Sequence, residues 1–350
     1  MVPPVATVAG CPTHHTSSKV FDPPHSSGPE PEISRLANLK HQWSSAGISQ
    51  NASDLIALSW RNGTSKQYES GWKRWCDWCG KQSINHCTPT IAHVLNFLAH
   101  EHSTGKSYST INSYRSSLSS ALSPIDGYPV GKHPLVVRLM KGSFNSNPPK
   151  PKYANTWNVS SVLKYISSLP DNDQLSLPQL SHKLVALIAL ASAQRTQTLL
   201  NLDLTFLQLS DDCARFRIMS MLKTTSPKKQ IGNLVVKIPR FENNSNLCAL
   251  SALKEYIKRT DPLRSDNKLF ISTRTLARWM KLLLASSGID TAVFSAHSFR
   301  SASSTCAFAK GVSLDEIIST ADWSNARTFH DFYLKPLQKD SFAINVLSSS

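Results

Sequence analysis

From residue 65 to 80 the apolar positions Tyr68, Trp72, Trp75, Cys76 and Cys79 recur every three or four residues. That is the period of a helix with one buried face. A second helix is predicted to open at Thr88-Pro89, with proline at its first helical position and Ile91, Val94, Leu95 and Leu98 inward. A third, Ser107 to Leu122, turns Ile111, Tyr114, Leu118 and Leu122 inward and carries Ser and Arg115 on its other face. A short fourth runs from His133 to Lys141 and stops near Gly142. Together these predict a small helical bundle over residues 47–146.

The pattern breaks at 147–156, N-P-P-K-P-K-Y-A-N-T. Proline removes backbone donors and restricts its neighbours, so an extended linker is expected there. Beyond it, residues 157–350 read as a second, mixed domain. Val159 to Leu169 and Leu180 to Gln194 have helical periodicity. Ala214 to Leu222 and Leu234 to Ile238 read as strands joined by the polar turn 225–232. Leu247 to Arg259 and Thr275 to Ser286 are helical again. Three short helices follow: one after Ser295 stopping at Gly311, one opening on the capping-box spacing Ser313-Leu-Asp-Glu316, and one from Asn325 to Lys335, stopped by Pro336. The fold class is mainly α with a small antiparallel sheet. Residues 1–46, rich in Pro, Ser and His and without periodicity, are expected to be disordered.

Charge narrows the choice of partner. The 350 residues hold 38 Lys and Arg against 23 Asp and Glu, a net charge of +15. The first 46 residues are balanced, three basic against three acidic, so the surplus lies on both predicted domains rather than on a tail. Two basic globular units suit a surface that grips double-stranded DNA. The longest apolar run, Leu184 to Ala191, is far short of the ~20 residues of a membrane span, so no membrane partner is expected. No secretory signal is visible at the N-terminus. Seven scattered cysteines, an odd count, argue against a disulfide scaffold. Cys76-x-x-Cys79 with His86-Cys87 invites a zinc reading, but the pair lies inside an amphipathic helix and no second C-x-x-C exists, so buried structural thiols are favoured. There is no phosphate-binding glycine loop and no carboxylate cluster of the two-metal nuclease kind. No cofactor, nucleotide or metal is implied.

Four stretches of the second domain carry candidate chemistry. They are A-Q-R-T-Q-T-L-L around Arg195, M-L-K-T-T around Lys223, S-A-H-S-F-R with His297 and Arg300, and A-D-W-S-N-A-R-T-F-H-D-F-Y with Trp323 and Tyr333. Each alone has an ordinary reading. Arg195 could cap a helix, Lys223 could be a solvated strand residue, His297 a satisfied structural histidine, and Phe329, Phe332 and Tyr333 core aromatics. Their order is what matters. Two arginines, a lysine on a hairpin, a histidine three residues before the second arginine, a tryptophan and then a tyrosine near the C-terminus resemble the tyrosine recombinase family. The H-S-F-R stretch and the W-S-N-A-R-T-F-H-D-F-Y stretch are most similar to recombinases of DIRS-type retrotransposons and related eukaryotic mobile elements. The resemblance covers residues 47–345.

The resemblance implies a helical, SAM-like core-binding domain before the linker and an α+β recombinase catalytic domain after it, closing as a clamp on duplex DNA. It implies Tyr333 as the nucleophile that forms a phosphotyrosyl bond, and His297 as its proton partner. It implies Arg195, Arg300 and Trp323 as donors to the non-bridging phosphate oxygens, and Lys223 as the acid that protonates the leaving 5′ oxygen. Lys228 and Lys229 in the turn are rivals for that last role. Lys66, Lys106 and Arg115 are candidate phosphate contacts in the first domain. A homotetramer on paired DNA sites and a nuclear location are further implications. Two departures stand out. Thr198 occupies the position where many members carry an acidic residue, three after the first arginine. The interval from Trp323 to Tyr333 is one residue longer than in many bacterial members, whose spacing would land on Phe332. Two other readings stay open: a decayed recombinase that only binds DNA, and a type IB topoisomerase.

Overall fold

The computed structural model describes residues 34–150 and 153–335. The chain divides between Lys150 and Pro151 into two compact units.

The first unit is helical: α1 (Arg35–Ser45), α2 (Gln50–Ala57), α3 (Asn62–Lys81), α4 (Ile91–Ser103), α5 (Tyr108–Ala121) and α6 (Pro134–Ser146). The aromatic stripe on α3 forms its core. Trp72, Trp75 and Cys79 are fully buried with Phe97, Leu98, Ile111 and Leu118. Each buried indole removes about 150–250 Å² from water, on the order of 4–6 kcal/mol of transfer free energy. Helix α3 meets α5 at Gly71, where an added Cβ would lie 3.0 Å from Ser117 Cβ. That close approach lets Ser117 Oγ donate to the Tyr68 carbonyl at 2.6 Å.

Three expectations for this unit need correction. Residues 34–46 were placed in the disordered head, yet Ser34 caps α1, whose Arg35 and Leu39 are buried. A single short helix with few apolar positions is stabilised by tertiary contacts, which periodicity does not register. Residues 1–33 of that head lie outside the described residues. Helix α4 begins after Thr90, which makes a reciprocal capping box with His93, so Pro89 precedes the cap instead of opening the helix. Helix α6 continues through Gly142 to Ser146, because a glycine in a packed helix weakens it without ending it.

The second unit holds α7 (Val159–Ser167), α8 (Leu177–Ser192), α9 (Thr196–Leu200), β1 (Leu207–Leu209), β2 (Cys213–Arg217), β3 (Val235–Pro239), α10 (Ala249–Thr260), α11 (Thr273–Ser286), α12 (Ser298–Ala309) and α13 (Leu314–Thr320). Helix α8 is its axis: apolar around most of its circumference from Leu180 to Ala189, it touches α10, α11 and α12. The antiparallel sheet runs β1-β2-β3, with Phe216 opposite Val236 and Leu207. The hairpin expected from 214 to 238 is present, but β2 ends at Arg217, so Lys223 stands in the β2–β3 loop and not on a strand. Strand β1 was not anticipated, being three residues long and mostly exposed. Residues 151–152 of the linker and 336–350 lie outside the described residues. Among the described residues no helix is long and apolar enough to cross a membrane.

Candidate active site

A small apolar cluster of the second unit, separate from its main core, is built from Ala193, Ile317, Ala321, Trp323 and Phe329, with Tyr333 against its edge. The polar groups of interest gather on it.

Arg195 leaves the turn that joins α8 to α9. Ala193 in that turn takes the left-handed conformation, φ +49, and Arg195 occupies the N-cap of α9 without any side-chain cap bond. Its guanidinium is therefore not used on the helix end. Gln194 Nε2 donates to the Thr320 carbonyl at 2.7 Å, fastening this turn to the end of α13.

Arg300 is the centre of the site. It lies on the first turn of α12, 1% exposed. One guanidinium nitrogen donates to the Ala193 carbonyl at 2.7 Å and the other to the Ala321 carbonyl at 2.6 Å. Its planar head sits 4.5 Å from the Trp323 ring centroid and 5.2 Å from that of Tyr333. Burial, and then the positive charge of Arg195, pull its pKa down to about 10, against the opposing pull of Tyr333 and Asp322. Two guanidinium groups close enough to repel are stabilised when an anion lies between them.

Trp323 follows Asp322, whose φ of +57 turns the chain at the end of α13. The indole is 5% exposed and packs 4.7 Å from the Tyr333 ring. Its Nε1, and Nε of Arg300, are buried with no hydrogen-bond partner among the described residues. Two such donors in one cluster are costly unless an acceptor arrives. His297, exposed at the start of α12, places its ring 5.9 Å from that of Tyr333.

The segment bearing Tyr333 resolves the spacing problem. After one short helical turn, Ala326–Thr328, the chain widens into a π turn over Phe329–Tyr333, closed by Leu334 N donating to the Phe329 carbonyl at 2.8 Å. A π turn accommodates one extra residue, the number by which the interval exceeds the shorter spacing. Phe332 is 67% exposed, whereas Tyr333 is half-buried among Trp323, His297 and Arg300. Ser301 and Thr305 of α12 hold the segment by donating to the Tyr333 carbonyl at 2.7 and 3.0 Å.

Arg195, His297, Arg300, Trp323 and Tyr333 thus come together. Lys223 is exposed on the turn 222–225, and among the described residues it makes no ion pair or side-chain hydrogen bond. The next residue, Thr224, donates to Asp322 Oδ2, and Lys229 forms an ion pair with Asp322 Oδ1. Sequence reasoning missed Asp322. Its signal was present, an acid adjoining the candidate tryptophan, but only folding brings it to the loop. Thr198 is buried on α9.

The first-unit candidates separate. Lys66 on α3 and Lys106 before α5 are exposed. Arg115 on α5 lines an open cleft of about 320 Å³ with Trp60, Tyr68, Ser119 and Lys132. The sequence did not single out Lys132, because it lies in the three-residue 3-10 turn Val130–Lys132, too short to show periodicity. Cys76 and Cys79 are buried in the first core, where burial pushes both thiols up to about 12.

The model of one protein family, "Phage integrase family", matches residues 162–339, half of the chain. Among solved structures, XerH site-specific recombinase in a post-cleavage complex with palindromic difH substrate superposes with a TM-score of 0.55 at 15% identity, covering 90% of this chain and 84% of that one. The Tn1549 transposon integrase, in complex with transposon right end DNA, superposes with a TM-score of 0.53 at 14% identity, covering 90% and 99%. At such identities the likeness is one of fold. Comparison with curated protein sequences finds no match.

Proposed function

The chain belongs to the phage integrase family of tyrosine recombinases, and we propose that it is a site-specific DNA recombinase that cuts and rejoins double-stranded DNA through Tyr333. The observation that carries this reading is the cluster itself. The Arg300 guanidinium and an unpartnered indole N–H lie against one tyrosine, and Arg195 is near enough to Arg300 for its charge to act on it, which is the kind of donor set a phosphodiester requires.

In this reading Tyr333 Oη attacks phosphorus and the P–O5′ bond breaks, leaving a 3′-phosphotyrosyl bond that conserves the energy of the broken ester. A free phenol has a pKa of about 10, so the hydroxyl needs a proton acceptor, and this reading gives that role to His297, whose ring lies 5.9 Å from that of Tyr333. Arg195, Arg300 and Trp323 donate to the non-bridging oxygens, where charge grows in the transition state. Lys223 supplies the proton to O5′. Lys229 is the weaker candidate because its ammonium is engaged by a buried carboxylate. Rejoining reverses each step.

Residues 47–146 act as the core-binding domain and 157–350 as the catalytic domain, with Lys66, Lys106 and Arg115 as phosphate contacts. Net charge of +15 supports the DNA partner. Recombination joins four strands, which supports a homotetramer on paired sites. The motif resemblance to DIRS-type elements supports integration of a mobile element as the biological task, and with it work in the nucleus.

The test is incubation of the protein with a nicked suicide duplex. An SDS-resistant protein–DNA adduct, lost in Tyr333→Phe, is expected. Firm DNA binding with no adduct would instead mark a DNA-binding protein without chemistry. Relaxation of a plasmid lacking any special site would mark a topoisomerase.

A further inference from the structure

Asp322 is an acidic residue that the proposed chemistry does not use, and three observations make it unusual. It is 5% exposed. It takes the left-handed conformation, which aspartate tolerates at some cost because its short side chain can bond locally. Both carboxylate oxygens are engaged from one loop: Oδ2 by the Thr224 hydroxyl and Oδ1 by the Lys229 ammonium. A buried carboxylate is stable only when paired in this way. Thr224 and Lys229 are the two ends of the segment that begins beside Lys223, between β2 and β3. Asp322 itself adjoins Trp323, and the preceding carbonyl, that of Ala321, accepts from Arg300. One side chain therefore fastens the lysine-bearing loop to the cleavage cluster.

We propose that Asp322 is a positioning residue that seats the β2–β3 loop, and so the general-acid lysine, at the scissile phosphate. It supplies the orienting carboxylate that Thr198 cannot. The inference rests on the recombinase reading above. It also accounts for the acid standing directly before the tryptophan, where the chain geometry alone would favour glycine.

The consequence is specific to one proton. Cleavage of the ordinary ester forms the Tyr333 Oη–P bond and breaks P–O5′, and the ammonium proton goes to O5′. With sulfur in place of O5′, the leaving group departs as a thiolate and needs no proton. A misplaced acid therefore slows the oxygen substrate and spares the sulfur one. Displacing a catalytic group by about 1 Å costs on the order of 100-fold.

Asp322→Asn should slow adduct formation by about that factor on the oxygen duplex and stay within a few-fold of the unmodified protein on a 5′-bridging phosphorothiolate duplex. Thr224→Val and Lys229→Gln, both at accessible loop positions, should show the same pattern at smaller amplitude, which protects the test if Asp322→Asn unfolds. Lys223→Ala should show the largest difference between the two substrates. Equal losses on both substrates, or none on either, would overturn the proposal, since a carboxylate that merely neutralised Arg300 or held the fold would affect both alike. Rescue by sulfur in Lys229→Ala but not in Lys223→Ala would overturn the assignment of the seated lysine. If the unmodified protein forms no Tyr333 adduct on the sulfur duplex, the recombinase reading fails first; an adduct there with equal losses in Asp322→Asn removes only the present inference.

Discussion

Replacing Arg300 by lysine tests whether this side chain is both strut and catalyst. The guanidinium joins three segments: α12, the Ala193 turn that leads to Arg195, and the Ala321 carbonyl that leads to Trp323. Lysine has one nitrogen and no planar fork, so it cannot meet both carbonyls in this geometry. Orphaning one buried carbonyl costs about 1–3 kcal/mol. Losing the cation from the Trp323 face costs about 1–2 kcal/mol more in a desolvated setting. Arg300→Lys should therefore unfold at lower urea, with a loss of about 2–5 kcal/mol. The chemical loss is larger. Burial and the charge of Arg195 already lower the pKa of the arginine here, and lysine starts from a lower value, so a lysine would hold its charge less firmly. A missing charged donor to the developing phosphorane costs about 3–4 kcal/mol, or 100- to 1,000-fold in cleavage rate. Single-turnover adduct formation on the suicide duplex, at urea-free conditions where the variant is folded, measures it. A variant with the stability of the parent, or one that cleaves within tenfold of it, would refute the reasoning.

Three other outcomes are expected. Lys183 is buried on α8 with its ammonium 3.2 Å from Asn246 Oδ1, and burial draws its pKa to about 8. The unfolded chain holds that proton to higher pH, so this residue's contribution to stability should rise with pH above 8, by up to ~1.4 kcal/mol per unit. Urea melts from pH 7 to 10 should show that slope lost in Lys183→Met, which should also be the more stable protein at pH 7. In the first unit, Arg74→Ala leaves the fully buried Glu101 without its partner at 2.8 Å and should cost about 3–5 kcal/mol, partly regained by adding Glu101→Gln. Arg115→Ala should weaken DNA binding alike on all sequences and reduce the slope of log affinity against log salt by about one, measured by titration at several salt concentrations.

Legibility followed the physics of each signal. The stripe of α3 and the apolar α8 were readable because a long helix repeats its burial pattern several times. Helix α1 was not: its burial rests largely on Arg35, whose guanidinium sits 4.6 Å from the Trp60 ring and donates to Ser120 Oγ at 3.1 Å, and periodicity scores an arginine as solvent-facing. The early end of β2 was missed because Ile218 and Leu222 are buried, and apolar residues in a packed loop look like strand.

For the site, the order of residue types nominated Arg195, His297, Arg300, Trp323 and Tyr333 through its resemblance to tyrosine recombinases, and the need of a phosphate for donors and a nucleophile explains why those types occur. Tyr333 was already the nucleophile by its hydroxyl, but how the longer interval still turns it and not Phe332 into the cluster needed the π turn, because one residue of helix phase rotates a side chain by about 100°. The partners of Asp322 needed the full tertiary structure, because Thr224 and Lys229 lie more than ninety residues away along the chain. Local sequence thus determined which chemistry this protein carries and roughly where its helices lie. Only three-dimensional packing decided which groups share a low-dielectric pocket, since burial, repulsion between cations and the pairing of a carboxylate depend on distances in space that no linear spacing specifies.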